Sequence, residues 1–465
     1  MNKITQFLSD HLSAGYYILI PVAVLFLIAG IGYKTFAQKP EKEIVQVKHP
    51  EWSKNANIYE VNLRQFSTGG TFKEFARHIP RLKSMGVDIL WFMPLHPIGV
   101  KNRKGTLGSY YSVKDYLAID PSYGTMDDFK NLVDSIHKQG MHVIIDWVAN
   151  HTSWDNKLIE EHPDWYKKDS TGKFVAPYDW TDVVCLDYKK PELRKYMTET
   201  MCWWVKNTNI DGFRCDVAGL VPVDFWIDTR KALDQIKPVF MLAEAEEAPL
   251  HQAFDMTYTW DLYNIMNKIA KGEKNANDIA KYLLKNDSLY PQDAYRMYFT
   301  SNHDENSWNG TEYERLGNGA KTFAVLTATL PGMPLIYTGQ EMALNKRLRF
   351  FEKDTIIWKD VKLYGFYKNL LTLKVDNKAL WNGEAGGKLT RVNSTNDKAV
   401  FAFLRQKDEN TVFVILNLTA KPQTVTFKGK NYAGDYKSGI SGKPMKFVAD
   451  TPIQLKPWDY LIFKK

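Results

Sequence analysis

Arg214 and Asp216 form the most reactive-looking pair in the chain. They lie in the hexamer Asp211-Gly212-Phe213-Arg214-Cys215-Asp216, which reads as a short buried strand. Successive side chains of a strand point to opposite faces, so Arg214 and Asp216 share one face while Phe213 and Cys215 share the other. A guanidinium fixed two residues before a carboxylate favours the ionised form, which suits a nucleophile and disfavours a proton donor. The same spacing also serves a purely structural ion pair. Further chemistry-bearing groups sit in Ile145-Asp146-Trp147-Val148-Ala149-Asn150-His151, in Ala243-Glu244 and in Asn302-His303-Asp304. Carboxylates in unlike surroundings, with an arginine and histidines beside them, can perform nucleophilic and acid–base steps. Each residue alone also has a structural reading, Asp304 as a helix cap and His151 as a satisfied buried histidine. Taken jointly, those readings require several coincidences.

A parallel sheet would bring these segments to one place. Short apolar runs at 57–63, 87–93, 142–147, 211–216, 239–244, 254–258, 297–302 and 335–338 alternate with amphipathic helical segments such as 72–85 and 126–139. Eight strands in that rhythm predict an α/β fold, a closed (β/α)8 barrel over residues 55–376, whose active site forms at the C-terminal ends of the strands. An open doubly wound sheet is the alternative, but no glycine-rich phosphate loop follows the first strand. After the third strand, a segment at about 152–190 carries Trp154, Trp165, Tyr166, Pro177, Tyr178 and Trp180 with little helical period. It reads as a small inserted subdomain, and loops of that length are usually functional. From 377 to 465 the pattern changes to alternating strands, as at 399–405, 411–418 and 423–427, which predicts a C-terminal antiparallel β-sandwich domain.

Composition narrows the class. With 465 residues the chain can hold one large domain and smaller ones, and 44% hydrophobic against 25% charged residues is ordinary for a globular protein. The aromatic content of 14% is high and fits a flat apolar ligand such as a sugar face, although core packing uses aromatics too. The net charge of +8 is spread without basic runs, so no nucleic-acid footprint is present. Cys185, Cys202 and Cys215 lack metal-type or redox-type spacing and read as free thiols. No charged residue occurs between positions 12 and 33, and 17–31 is almost wholly apolar. Residues 1–38 therefore read as a signal peptide or membrane anchor, 39–54 as a linker, and the remainder as exported: periplasmic, cell-surface or secreted. Oligomeric state is not legible.

The blocks 146–151, 212–216, 243–244 and 302–304 resemble, in order and spacing, the four signature regions of the α-amylase family, glycoside hydrolase family 13. Ile58-Tyr59-Glu60, the segment Gly108-Ser109-Tyr110-Tyr111, Tyr123-Gly124-Thr125 and Ile336-Tyr337-Thr338-Gly339-Gln340-Glu341 are also similar to the family. The resemblance implies a retaining α-glucan hydrolase, with two carboxyl groups roughly 5–5.5 Å apart across the scissile bond. It casts Asp216 as nucleophile with Arg214 holding its charge, and Glu244 as the acid and then the base, its apolar neighbours raising its pKa. It casts Asp304 as the carboxylate that binds sugar hydroxyls, His151 and His303 as neutral donors to the same sugar, Tyr111 as the ring beneath it, and Asp146 as a support from below.

Departures from the family pattern bear on specificity. Typical α-amylases of the family commonly carry Lys-His three and four residues after the nucleophile, where this chain has Gly219-Leu220. Asn150 matches a position that ligates calcium in many relatives, with Asp179 and Asp182 as further oxygen ligands; it suits a loop cap equally well. The implied activity is endo-cleavage of α-1,4 bonds in starch, glycogen or maltodextrins. A cyclomaltodextrinase- or neopullulanase-like hydrolase, or a transglycosylase, would use the same residues. Amylase-like domains behind a single membrane segment also serve as transporter partners after losing their carboxylates, but this chain keeps Asp216, Glu244 and Asp304.

Overall fold

The computed structural model describes residues 47–465; the expected signal peptide or anchor over 1–38 lies outside them, as does the first half of the expected linker. Among the described residues no helix is long and apolar enough to cross a membrane. Strands β1 (Ile58–Val61), β2 (Ile89–Phe92) and β3 (His142–Trp147) are followed by the short β4 (His151–Ser153) and β5 (Val183–Cys185). Then come β6 (Gly212–Cys215), β7 (Phe240–Ala243), β8 (Met256–Thr257), β9 (Tyr295–Tyr298) and β10 (Met333–Tyr337). All but β4 and β5 are parallel and close into an eight-stranded barrel in the order β1-β10-β9-β8-β7-β6-β3-β2.

Strands enclosed on both faces are apolar on both, and alternate residues split between two cores. Ile58, Ile89, Trp91, Ile144, Phe240, Leu242, Met256, Met297 and Met333 pack together inside the barrel. Tyr59, Leu90, Phe92, Val143, Ile145, Phe213 and Met241 face outward onto helices through residues such as Phe75, Leu82, Phe129 and Leu132. The helix Met126–Lys138 shows the logic: Phe129, Leu132, Val133 and Ile136 form its buried stripe, and Thr125 and Asp128 cap its start reciprocally. The inward parity also carries Glu60 and Trp91, paired across β1 and β2, and Asp146 and Arg214, paired across β3 and β6.

The seventh and eighth barrel strands are displaced along the chain from the sequence expectation. The seventh barrel strand begins at Tyr295 and ends at Tyr298, because Met297 and Pro334 fix the pairing with β10 as Met297↔Met333 and Tyr298↔Pro334. Residues 299–302 instead run out as a loop, in which Asn302 Oδ1 accepts from Glu305 N–H at 2.8 Å. The eighth strand starts earlier, at Met333. In the inserted segment β4 and β5 pair as an antiparallel ribbon.

The C-terminal part is built from β11 (Lys388–Arg391), β12 (Val400–Lys407), β13 (Asn410–Asn417), β14 (Gln423–Val425), β15 (Gly434–Ser438), β16 (Pro444–Phe447), β17 (Ile453–Leu455) and β18 (Tyr460–Lys464). Six of them form an antiparallel sheet, β11-β12-β13-β18-β15-β16, with β14 and β17 as a separate pair. One face of the large sheet encloses Phe413, Phe427, Tyr432, Tyr436 and Phe447. Phe401, Phe403, Val412, Val414 and Ile462 pack instead with Phe323 and Leu326 of a barrel helix.

The described end of the expected linker is not a free connection. Trp52 stacks on His142 at 3.8 Å, His49 Nδ1 lies 2.7 Å from Asp255 Oδ1, and Arg230 donates to Lys48 O at 3.2 Å. These groups cover the N-terminal ends of β3, β8 and β9, where ring faces and an anchored carboxylate hold the chain. Burial alone would lower the His49 pKa, but the bond and charge of Asp255 outweigh it and raise it above 6.5. A raised folded value makes this contribution complete below the unfolded value of 6.5, and it fades as pH rises through the folded value. His49→Ala should therefore cost about 1–3 kcal/mol in acid and less in alkali, read as a larger drop in Tm at about pH 5.5 than at about pH 8.5.

Candidate active site

The site grows from β6. Gly212 lies at φ +150°, and a Cβ there would stand 1.8 Å from Phe240 O, so only glycine lets β6 and β7 approach. Two residues on, the Arg214 side chain is fully buried. Its Nη1 donates to Asp146 Oδ1 at 2.9 Å and to Asp216 Oδ1 at 3.1 Å, while Nη2 lies 2.8 Å from Glu244 Oε2. The rings of Trp91, Tyr111 and Tyr258 surround the guanidinium at 5.0, 5.6 and 5.8 Å. Asp216 Oδ2 is buried and makes no hydrogen bond among the described residues. Val217, next in the chain, takes a left-handed conformation at φ 36°, and its N–H donates to Glu244 Oε2 at 2.9 Å. A β-branched residue is strained there.

A second chain of contacts approaches from β1, the loop after β2 and the loop after β9. Tyr111 Oη lies 3.1 Å from Asp146 Oδ2 and 2.8 Å from His303 Nε2. His303 Nδ1 is 2.5 Å from Glu60 Oε1, and Nε2 is 3.2 Å from Asp304 Oδ2. His151 is buried, with Nδ1 3.2 Å from the Asn150 amide. Asp146, Arg214, Asp216, Glu244, His303, Asp304 and Tyr111 are thus linked side chain to side chain.

The electrostatics depart from the sequence expectation at three positions. Burial, and then the charge of Glu244, push the Asp216 carboxyl well above the usual carboxylate range, although Arg214 pulls the other way. Glu244 is not held by apolar neighbours; its Oε2 faces Arg214 and the Val217 N–H. Burial would neutralise His303, but Asp304 and Glu60 outweigh it and hold the ring protonated, so it is no neutral donor. The protonated ring in turn keeps Asp304 low against its own burial. Burial lowers His151 to about 4, leaving it neutral. Asp146 is pushed up to about 6 by burial, with Arg214 opposing. One guanidinium facing Asp146, Asp216 and Glu244 cannot neutralise three charges, so Asp216 stays raised in spite of Arg214.

Calcium does not fit the residues expected to hold it. The Lys104 ammonium lies 3.3 Å from Asp182 Oδ1 and donates to Asp179 O at 3.3 Å, so a lysine cation already takes these oxygens. The Asn150 amide is turned to His151, and among the described residues no group of three or more His, Cys, Asp or Glu is arranged to hold a metal. EDTA should therefore leave Tm and turnover unchanged, and added calcium should not raise either. A drop of several degrees in Tm on chelation, reversed by calcium, would contradict this assignment.

Sequence reasoning missed Glu60, Trp91 and Tyr258. Trp91 donates from Nε1 to Asp146 Oδ2 at 3.2 Å, and the hydroxyl of Tyr258 is buried beside Arg214. Their signal was parity, since each lies on or just after a barrel strand and faces inward. A cavity of about 790 Å³ opens elsewhere, between Tyr290, Arg296 and Asp287 of the barrel and Arg391 and Gln406 of the C-terminal sheet. It contains none of the linked carboxylates, so the chemistry belongs to the barrel mouth.

Residues 35–180 and 154–363 match the family model described as alpha amylase, catalytic domain, and residues 389–462 match maltogenic amylase, C-terminal domain. The solved structure of the maltogenic alpha-amylase AmyB from Thermotoga neapolitana is 30% identical, with a TM-score of 0.82 over 89% of this chain and 99% of that one. Alpha-amylase MalA of Haloarcula japonica is 26% identical over 90% of this chain, which spans 64% of that relative's length. A cyclomaltodextrinase from a Bacillus species is 25% identical, over 79% of this chain and 73% of its own. The matches run through both the barrel and the C-terminal sheet, and the chain belongs to the α-amylase family of glycoside hydrolases.

Proposed function

We propose that this chain hydrolyses α-1,4-glucosidic bonds with retention of configuration, acting on maltodextrins and cyclic or short α-glucans. The observation that carries the reading is one guanidinium, Arg214, contacting Asp216 and Glu244 through its two terminal nitrogens. That fork sets the two carboxyl groups on one side of a single cation, which suits the short separation of a retaining pair. Asp216, whose Oδ2 has no partner, attacks the anomeric carbon. The bond from that carbon to the glycosidic oxygen breaks, and Glu244, acting as the acid, delivers a proton to the leaving oxygen. Water then attacks the glycosyl-enzyme, Glu244 takes its proton, and Asp216 leaves as carboxylate. Asp304, held ionised by His303, accepts from sugar hydroxyls, and Tyr111 packs against the C–H face of the ring. His151 stays neutral as a hydroxyl donor, and Asp146 supports Arg214 and Tyr111 from beneath.

The maltogenic-type C-terminal match and the cyclomaltodextrinase relative favour short and cyclic substrates over endo-cleavage of long starch chains. Gly219-Leu220 is in keeping with this, since Leu220 is 42% exposed just beyond the nucleophile and offers an apolar rather than a cationic surface. The apolar stretch at 17–31 supports action outside the cytoplasm, by a secreted or anchored form.

Asp216→Asn and Glu244→Gln should each lower kcat by about three orders of magnitude or more, with Tm changing far less than activity. A variant that keeps near-normal turnover would remove its residue from the assigned role. Product analysis with linear maltooligosaccharides, cyclodextrins and pullulan should give short α-configured products, with cyclodextrins opened. Initial β-configured products would exclude the double displacement, and strong activity on starch without cyclodextrin opening would restore the endo-amylase reading.

A further inference from the structure

A row of aromatic rings leads out of the site from Tyr111. Phe350 stacks near Tyr111, with centroids 6.4 Å apart and planes 14° apart, and Trp308 lies 5.2 Å beyond Phe350. Phe351 packs against both, 5.7 Å from the indole and 5.1 Å from Phe350. Trp308 is 53% exposed, unusual for the largest apolar side chain, and its N–H makes no hydrogen bond among the described residues. It sits on a π-helical turn, Glu305–Asn309, directly after Asp304, and such turns occur frequently at functional sites.

The row is held in place from several directions. Asn306 donates from Nδ2 to Lys346 O at 3.0 Å and accepts from Leu348 N–H at 2.8 Å, and Ser307 Oγ donates to Leu348 O at 2.7 Å. Arg64 donates to Phe350 O at 3.1 Å, and Leu107 N–H donates to Phe351 O at 3.0 Å. An exposed indole fixed by this many bonds around it loses little freedom on meeting a ligand.

The contacts of the row give it a side. Phe350 faces the ring of Tyr111, which packs under the sugar that becomes bound to Asp216. Trp308 sits on the turn that follows Asp304, the carboxylate that takes hydroxyls of that same sugar. The row therefore extends from the half of the substrate that becomes bound to Asp216.

We propose that Trp308, backed by Phe350, is a platform for a glucosyl unit of the α-glucan on the glycone side, beyond the sugar that stacks on Tyr111. This rests on the α-glucan hydrolase reading and adds chain-length selection to it. An indole face covers the apolar C–H face of a pyranose and leaves the hydroxyls to water.

The test compares the wild-type chain with Trp308→Ala and Trp308→Phe on nitrophenyl α-glycosides that carry one, two, three or four glucosyl units ahead of the scissile bond. The expected result is about a tenfold fall for Trp308→Ala in the ratio of kcat/KM for long over short glycones, largely restored by Trp308→Phe. Binding of maltoheptaose to the Asp216→Asn protein, measured by calorimetry with and without Trp308→Ala, should show a matching loss of affinity. An unchanged ratio together with unchanged affinity overturns the subsite. Failure of the wild-type chain to cleave any α-glucan overturns the functional reading instead, and the calorimetric arm then decides the subsite alone.

Discussion

A single buried cation organises this molecule. Arg214 has no exposed surface, and its charge is balanced by Asp146, Asp216 and Glu244, contributed by the ends of three neighbouring strands. Taking a guanidinium and carboxylates out of water costs several kcal/mol per ion, and their mutual attraction offsets that only when the geometry is good. The barrel supplies that geometry through parity and register. Asp146 pairs with Arg214 across β3 and β6, and the turn after β6 brings Glu244 into reach. Fold and chemistry are therefore hard to separate at Arg214, since losing the one cation leaves buried carboxylates uncompensated, a penalty of roughly 3–5 kcal/mol.

The surrounding groups divide protonation between two neighbourhoods. Around Arg214 burial and the excess of carboxylates over the cation raise Asp216. Around His303 the outcome differs, because Glu60 and Asp304 hold one imidazolium between them and it keeps Asp304 low. Tyr111 joins the two through its hydroxyl, touching Asp146 on one side and His303 on the other. A raised carboxyl at Asp216 and a lowered one at Asp304 are unlike demands, and the fold meets them within one barrel mouth.

The barrel and the residues at its strand ends were legible in the sequence because they depend on short-range pattern. Apolar runs mark strands, amphipathic periods mark crossovers, and charged residues at the end of an apolar run stand out. What could not be read depends on partners far along the chain. His303 is protonated because of Asp304 and Glu60 together, and Glu60 lies 243 positions away. Lys104 reaches Asp179 from 75 positions away and supplies a cation where the sequence suggested calcium. Glu244 has apolar neighbours in sequence, yet Arg214 and Val217 are its neighbours in space. The misplaced seventh strand has the same origin, since the pairing of Met297 with Met333, rather than local hydrophobicity, sets where it ends.

The backbone at Val217 has a consequence for how this protein could be altered. A valine at φ 36° stores conformational strain of order 1–3 kcal/mol that the rest of the structure must hold. Glycine would relax it, yet would also free the peptide whose N–H fixes Glu244. Thermostabilisation campaigns that favour relaxed backbones would thus be drawn to the position where rigidity matters most to the chemistry. Screens that score melting temperature without turnover would select against the strained valine there.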